Sequence, residues 1–177
     1  MLQLIRTSLR IAQPIMQRVH SQESGMMSGV LLLEYLDLPT IPDEWLPSLE
    51  EIKQLPSYSP PALEELNLYY LRQLTDDRII KLLQPHFDFN ITGHIFYQYI
   101  GKDLGIHTDF GRKTAHNYII ELGGDNVITK WYDENDQVIE QHIIEKKRWH
   151  KLIVDVKHNA ENITSDRYAI SIHRIGN

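Results

Sequence analysis

The hydrophobic period of this chain changes near residue 89, and that change limits the folds open to it. Downstream, apolar residues recur with a period of two over 95–100, 117–122, 127–132, 138–144, 151–156 and 168–173. Successive side chains of a strand point to opposite faces, so each such segment has a face to bury. Ile, Val and Tyr fill these segments, as suits a pleated surface. Gly123-Gly124-Asp125-Asn126 and Asp133-Glu134-Asn135-Asp136 read as hairpin turns between them. Six or more short strands behind a helical layer predict a mainly β fold with flanking helices, a double-sheet jelly roll.

Upstream, the pattern is helical and broken by proline. Residues 29–38 read as a strand or short apolar segment, and Pro39, Pro42 and Pro47 then interrupt regular structure around Trp45. Ser59-Pro60-Pro61 opens a predicted helix carrying Leu63, Leu66, Tyr70, Leu71 and Leu74 at helical spacing. Thr75 is the expected N-cap of a second helix, with Asp76 and Asp77 set against its dipole. Ile79, Ile80, Leu82 and Leu83 form its buried side, and Pro85 ends it. The first twenty residues carry Arg6, Arg10 and Arg18 but no acid, a composition faintly like a mitochondrial transit peptide. Their low Ser content favours instead an amphipathic helix with Leu2, Leu4, Ile5, Leu9, Ile11 and Ile15 on one face. The expected organisation is a single domain over 1–177, with a mostly helical part over 1–88 packed on a β core over 89–177.

Composition removes several functions. The 177 residues include no cysteine, which excludes disulfide scaffolds, iron–sulfur clusters, Cys-ligated zinc and a thiol nucleophile. A formal charge of −6 gives no broad attraction to phosphate backbones, so no general nucleic-acid binding is expected. Lys146-Lys147-Arg148 reads as a solvated strand edge. No apolar run reaches the roughly 18 residues that span a bilayer, and a cytoplasmic protein without membrane association is expected.

The residues that carry chemistry are His107-Thr108-Asp109, then His158, then Arg167. Residues i and i+2 of a strand face the same way, so His107 and Asp109 can aim at one ion. His158 follows the segment 151–156 and can supply a third ligand. Two imidazoles and one carboxylate can occupy one face of an octahedral metal and leave three positions open, an arrangement that suits Fe(II) and also admits Zn(II). His86-Phe87-Asp88 has the same spacing, but it follows Pro85 at a helix end and reads as a surface loop. The other histidines, His94, His116, His142, His150 and His173, are alternative ligands. His158 is preferred because Arg167 follows it on a strand. Arg167, Ala169, Ser171 and His173 share one face of that strand. A guanidinium pointing into a barrel is costly unless it meets an anion. A carboxylate cosubstrate is one partner, with Ser171 adding a hydroxyl, and a protein carboxylate is the other.

Together these residues resemble the Fe(II)/2-oxoglutarate-dependent dioxygenases over roughly residues 95–173. The family's pattern of HxD, distal His and Arg matches His107, Asp109, His158 and Arg167. Arg167-Tyr168-Ala169-Ile170-Ser171 is similar to the matching strand of prolyl hydroxylases, and His158-Asn159-Ala160-Glu161-Asn162 to aspartyl/asparaginyl hydroxylase-like members. The usual Ser or Thr two residues after the Arg is replaced here by Ala169, so Ser171 has to serve. The resemblance implies a cupin-like double-stranded β-helix, Fe(II) as the metal, and 2-oxoglutarate and O2 as cosubstrates. It also implies hydroxylation of a small molecule or an amino-acid side chain, with release of succinate and CO2. Halogenating relatives lose the carboxylate ligand, and Asp109 is present. Tyr97 matches the position of a tyrosine that binds the 2-oxoglutarate carboxylate in prolyl hydroxylase-like members.

Other residues have weaker claims. Asn117 could bind the 1-carboxylate of 2-oxoglutarate or cap a turn. Trp131 and Tyr132 could line the substrate mouth or pack in the core. Arg112, in the loop after Asp109, could meet an anionic substrate or be solvated. Two other functions compete: a cupin-like metal-binding domain without turnover, and a zinc hydrolase with Glu161 as base. The identity of the substrate and the oligomeric state are left open by these residues.

Overall fold

A computed structural model describes residues 31–66 and 68–174, all within one compact unit. The helix expected over the first twenty residues lies outside them. The described chain is mainly β, with two antiparallel sheets. Strands β1 (Leu33–Tyr35), β2 (Tyr69–Gln73), β3 (Ile95–Ile100), β4 (Thr114–Leu122), β7 (Trp149–Ile153) and β9 (Arg167–His173) form one sheet in the order β1-β7-β4-β9-β3-β2. Strands β5 (Ile128–Tyr132), β6 (Val138–His142) and β8 (His158–Glu161) form the other, in the order β6-β5-β8. The helices are short: α1 (Leu49–Lys53), α2 (Pro61–Glu65) and α3 (Asp77–Leu83). None of the described helices is long and apolar enough to cross a membrane.

The six-stranded sheet has two different faces because its strands alternate. On one face Tyr97, Tyr99, Tyr118, Trp149, Ile170 and Ile172 form a core with Ile52 of α1 and Ile79 and Leu83 of α3. On the other, Ala115, Ile119, Leu152 and Ala169 pack with Trp131 of the smaller sheet. Trp131 is fully buried, and its indole N–H donates to the Ile153 carbonyl at 2.8 Å. Burying one large apolar side chain is worth about 1.5–3 kcal/mol, so these two layers hold the sheets in place.

Several expectations need correction. The helix expected to run from Pro61 through Leu74 stops at Glu65, and Tyr69–Gln73 is a strand paired with β3. The exposed flank of β3 offers a ladder of backbone donors and acceptors, and Tyr70 stacks on Tyr99 with ring centroids 4.4 Å apart. That pairing outweighs the helical spacing of the leucines. The second helix is capped by Asp76 rather than Thr75, its carboxylate accepting from the Arg78 N–H at 2.8 Å. The described part of 1–88 is therefore not simply helical, because β1 and β2 form both edges of the larger sheet. The Asp133–Asp136 turn does join the hairpin β5–β6, with Asp136 at φ 58°. Gly123-Gly124 instead carries the chain from one sheet to the other.

Candidate metal centre

His107 and His158 face each other across an isolated antiparallel bridge. The His107 N–H donates to the His158 carbonyl at 3.0 Å, and the His158 N–H to the His107 carbonyl at 2.8 Å. Directly opposed residues project to the same side, and the two ring centroids lie 4.5 Å apart. Asp109, two residues on, shares that side, its N–H held by the Val154 carbonyl at 2.8 Å. His158 is thus the first residue of its own strand in the smaller sheet.

The three side chains converge. One donor atom from each of His107, Asp109 and His158 lies within 4.8 Å of the others. His107 Nδ1 meets the Gly105 carbonyl at 2.7 Å, and His158 Nδ1 meets the Val156 carbonyl at 2.9 Å. Each Nδ1 therefore carries the proton, which leaves Nε2 as the lone-pair donor. Burial lowers the pKa of His158, keeping it neutral as a ligand must be. Arg112 holds one Asp109 oxygen at 2.6 Å, and the other oxygen lies 3.7 Å from His107 Nε2. Donors bound at right angles about 2.1 Å from one ion sit roughly 3 Å apart. The set fits a divalent metal once the widest donor separation, up to 4.8 Å, closes by roughly 2 Å.

These residues line one end of a cavity of about 580 Å³ between the sheets. Arg167 lines it as well, buried, with Nη1 donating to the Leu122 carbonyl at 3.1 Å. No carboxylate contacts Arg167 among the described residues, and burial alone pulls its pKa down to about 10. It remains charged at neutral pH, a cation in a mostly apolar wall. Asn117 lines the same cavity.

Ser171 and Tyr97 do not take the positions expected of them. The Ser171 hydroxyl is fully buried behind the cavity wall. It donates to Asn117 Oδ1 at 2.5 Å and lies 2.7 Å from His173 Nε2. One hydroxyl has one proton, so His173 donates from Nε2 and the Asn117 amide oxygen is consumed. This chain orients Asn117 and leaves its amide N–H groups for the cavity. Tyr97 lies on the opposite face of β3, in the core against the helices, because Gln98 is the residue of that strand which shares a face with Ala169. Trp131 and Tyr132 are buried away from the cavity. His86 and Asp88 are both exposed, and Asp88 pairs with Arg174 at 3.0 Å.

The cavity also recruits residues not anticipated from sequence: Tyr69, Gln98, Thr129 and Asn159. Tyr69 was hidden by the helical reading of its segment. Asn159 adjoins His158, and its buried Oδ1 has no hydrogen-bond partner among the described residues. Glu161, the alternative base, is held by Lys130, Tyr132 and Asn159 and does not line the cavity.

Compared with family models, curated proteins and solved structures, the chain matches none.

Proposed function

We propose that this chain is an Fe(II)- and 2-oxoglutarate-dependent dioxygenase that hydroxylates a small molecule or an amino-acid side chain. One observation carries the reading. A convergent His-Asp-His set and a buried arginine without a carboxylate partner among the described residues line the same cavity. A zinc hydrolase would give Arg167 no task, and its proposed base Glu161 is tied up elsewhere.

The order of strands supports a double-stranded β-helix. From β4 onward the chain visits the larger sheet, the smaller sheet twice, the larger, the smaller and the larger again. The His107 bridge to β8 adds one more crossing before β4.

In this reading His107, Asp109 and His158 hold Fe(II), and Arg167 takes the distal carboxylate of 2-oxoglutarate in a charge-assisted contact. Asn117 offers amide donors to the same cosubstrate. Fe(II) with 2-oxoglutarate and O2 would supply the oxidising power that converts a C–H bond to an alcohol, with release of succinate and CO2. The protein's own work is positioning and exclusion of water: two backbone carbonyls fix the histidine rings, Arg112 fixes the Asp109 carboxylate, and apolar walls surround the rest.

Anaerobic titration of the Fe(II)-loaded protein with 2-oxoglutarate tests this. A visible metal-to-ligand charge-transfer band is expected, and it should be lost in His158→Ala. Absence of the band in a protein that retains zinc tightly would overturn the reading.

A further inference from the structure

The cavity holds more positive charge than its proposed metal and cosubstrate can balance. Asp109 is the one carboxylate among its described lining residues, whereas Arg112 and Arg167 are both present. The walls therefore carry one net positive charge when the histidines are neutral. A divalent metal adds two positive charges and 2-oxoglutarate removes two. One positive charge is left in a largely apolar space, where an unbalanced charge is costly.

That charge can be located. Arg112 spends Nη2 on Asp109, but its Nη1 is buried and has no hydrogen-bond partner among the described residues. The two arginines cannot serve one carboxylate. Arg112 precedes the first residue of β4, and Arg167 is in register with Leu122, the last. At a rise of about 3.3 Å per residue their backbones enter the cavity from points roughly 25 Å apart. The cavity that Arg112 lines also has Leu104 and Ile106 in its wall.

We infer that the substrate to be oxidised carries a carboxylate that docks on Arg112 at the metal end of the cavity, with an apolar portion against Leu104 and Ile106. This rests on the dioxygenase reading. A carboxylate fits better than a phosphate because one negative charge closes the balance and two overshoot it. Asp109 then has a second function, since it holds the Arg112 guanidinium through Nη2 at 2.6 Å and leaves Nη1 for the substrate.

The test uses N-acetyl-leucine and its uncharged counterpart N-acetyl-leucinamide, titrated by NMR into Mn(II)-loaded protein saturated with N-oxalylglycine. The acid should bind more tightly than the amide. Arg112→Gln should remove about 10-fold or more of the acid's affinity, the worth of a hydrogen bond to a charged group, and cost the amide less, so that the acid–amide ratio falls towards one. Arg112→Lys should keep part of the preference, as a point charge without the fork. Equal binding of acid and amide to the native protein, or equal loss of both in Arg112→Gln alongside weakened Mn(II) binding, would overturn the inference and leave Arg112 as a support for Asp109. Failure of N-oxalylglycine to bind counts against the dioxygenase reading instead. The acid–amide comparison on metal-free protein then judges Arg112 by itself.

Discussion

Among the described residues Arg167 is held by a hydrogen bond to the Leu122 carbonyl, yet it is almost wholly buried and still charged at neutral pH. An ordinary structural ion pair would supply a carboxylate, and here the available volume lies in the cavity instead. Arg167→Ala is therefore expected to weaken 2-oxoglutarate binding by on the order of 10- to 100-fold, while Mn(II) binding followed by EPR stays within a few-fold. Unchanged cosubstrate affinity would remove Arg167 from the site. At this scale the sequence was informative where spacing alone decides geometry. His107 and Asp109 share a side because they are two apart in an extended segment, and Arg167 alternates with Ala169 for the same reason. Tyr97 was misread because alternation says which residues share a face but not which face is inside. That depends on β3 pairing with β9, a contact between segments far apart in the chain. Ser171 was assigned the correct face, but the sequence could not reveal that Asn117 and His173 would claim its hydroxyl first.

The Gly123-Gly124 crossover ties an element boundary to the cavity. Gly123 has φ 82°, and a Cβ built there would lie 2.6 Å from the Arg167 Cβ and 3.1 Å from the Ser165 carbonyl oxygen. Backbone conformation and close approach both demand glycine at this point. Gly123→Ala is expected to cost about 1–3 kcal/mol, read from urea denaturation, and also to weaken 2-oxoglutarate binding by displacing Arg167. Loss of stability with native cosubstrate affinity would uncouple the turn from the site. The same turn explains a limit of sequence reading. Its residues suit a hairpin and suit a crossing between sheets equally well, and only the partners of the flanking strands decide. Strand β3 coincides with the segment read from its period. Strand β2 was lost because Leu63, Leu66, Tyr70 and Leu74 satisfy a helical period by accident. The tyrosines at 69 and 70 were the local sign of a strand.

For the molecule as a whole, buried histidines set the response to acid. His150 is fully buried with its Nε2 lacking a hydrogen-bond partner among the described residues, and burial pulls its pKa down to about 4. His173 is pulled down to about 3 for the same reason. Both are neutral in the folded state at pH 5, whereas the unfolded chain takes up their protons below about 6.5. The unfolded state then binds more protons, so stability falls as pH drops, by up to about 1.4 kcal/mol per unit for each histidine. Urea midpoints should decline between pH 7 and pH 5. His150→Phe should reduce that decline by about 2 kcal/mol. An identical pH dependence in the variant would show that His150 titrates normally.

Strand β9 lies between β3 and β4 in the middle of the larger sheet, although it follows every other strand along the chain. Before residues 167–173 have been synthesised, β3 and β4 have no neighbour to join them, and the sheet exists only as two unconnected pieces. The strand that joins them also brings Arg167 to the cavity. A protein-synthesis intermediate halted before this strand can hold His107, Asp109 and His158, but it has neither a finished sheet nor the arginine of the cavity. Completion of the fold and acquisition of that arginine are thus a single late event, delayed by the long loop that β9 must close.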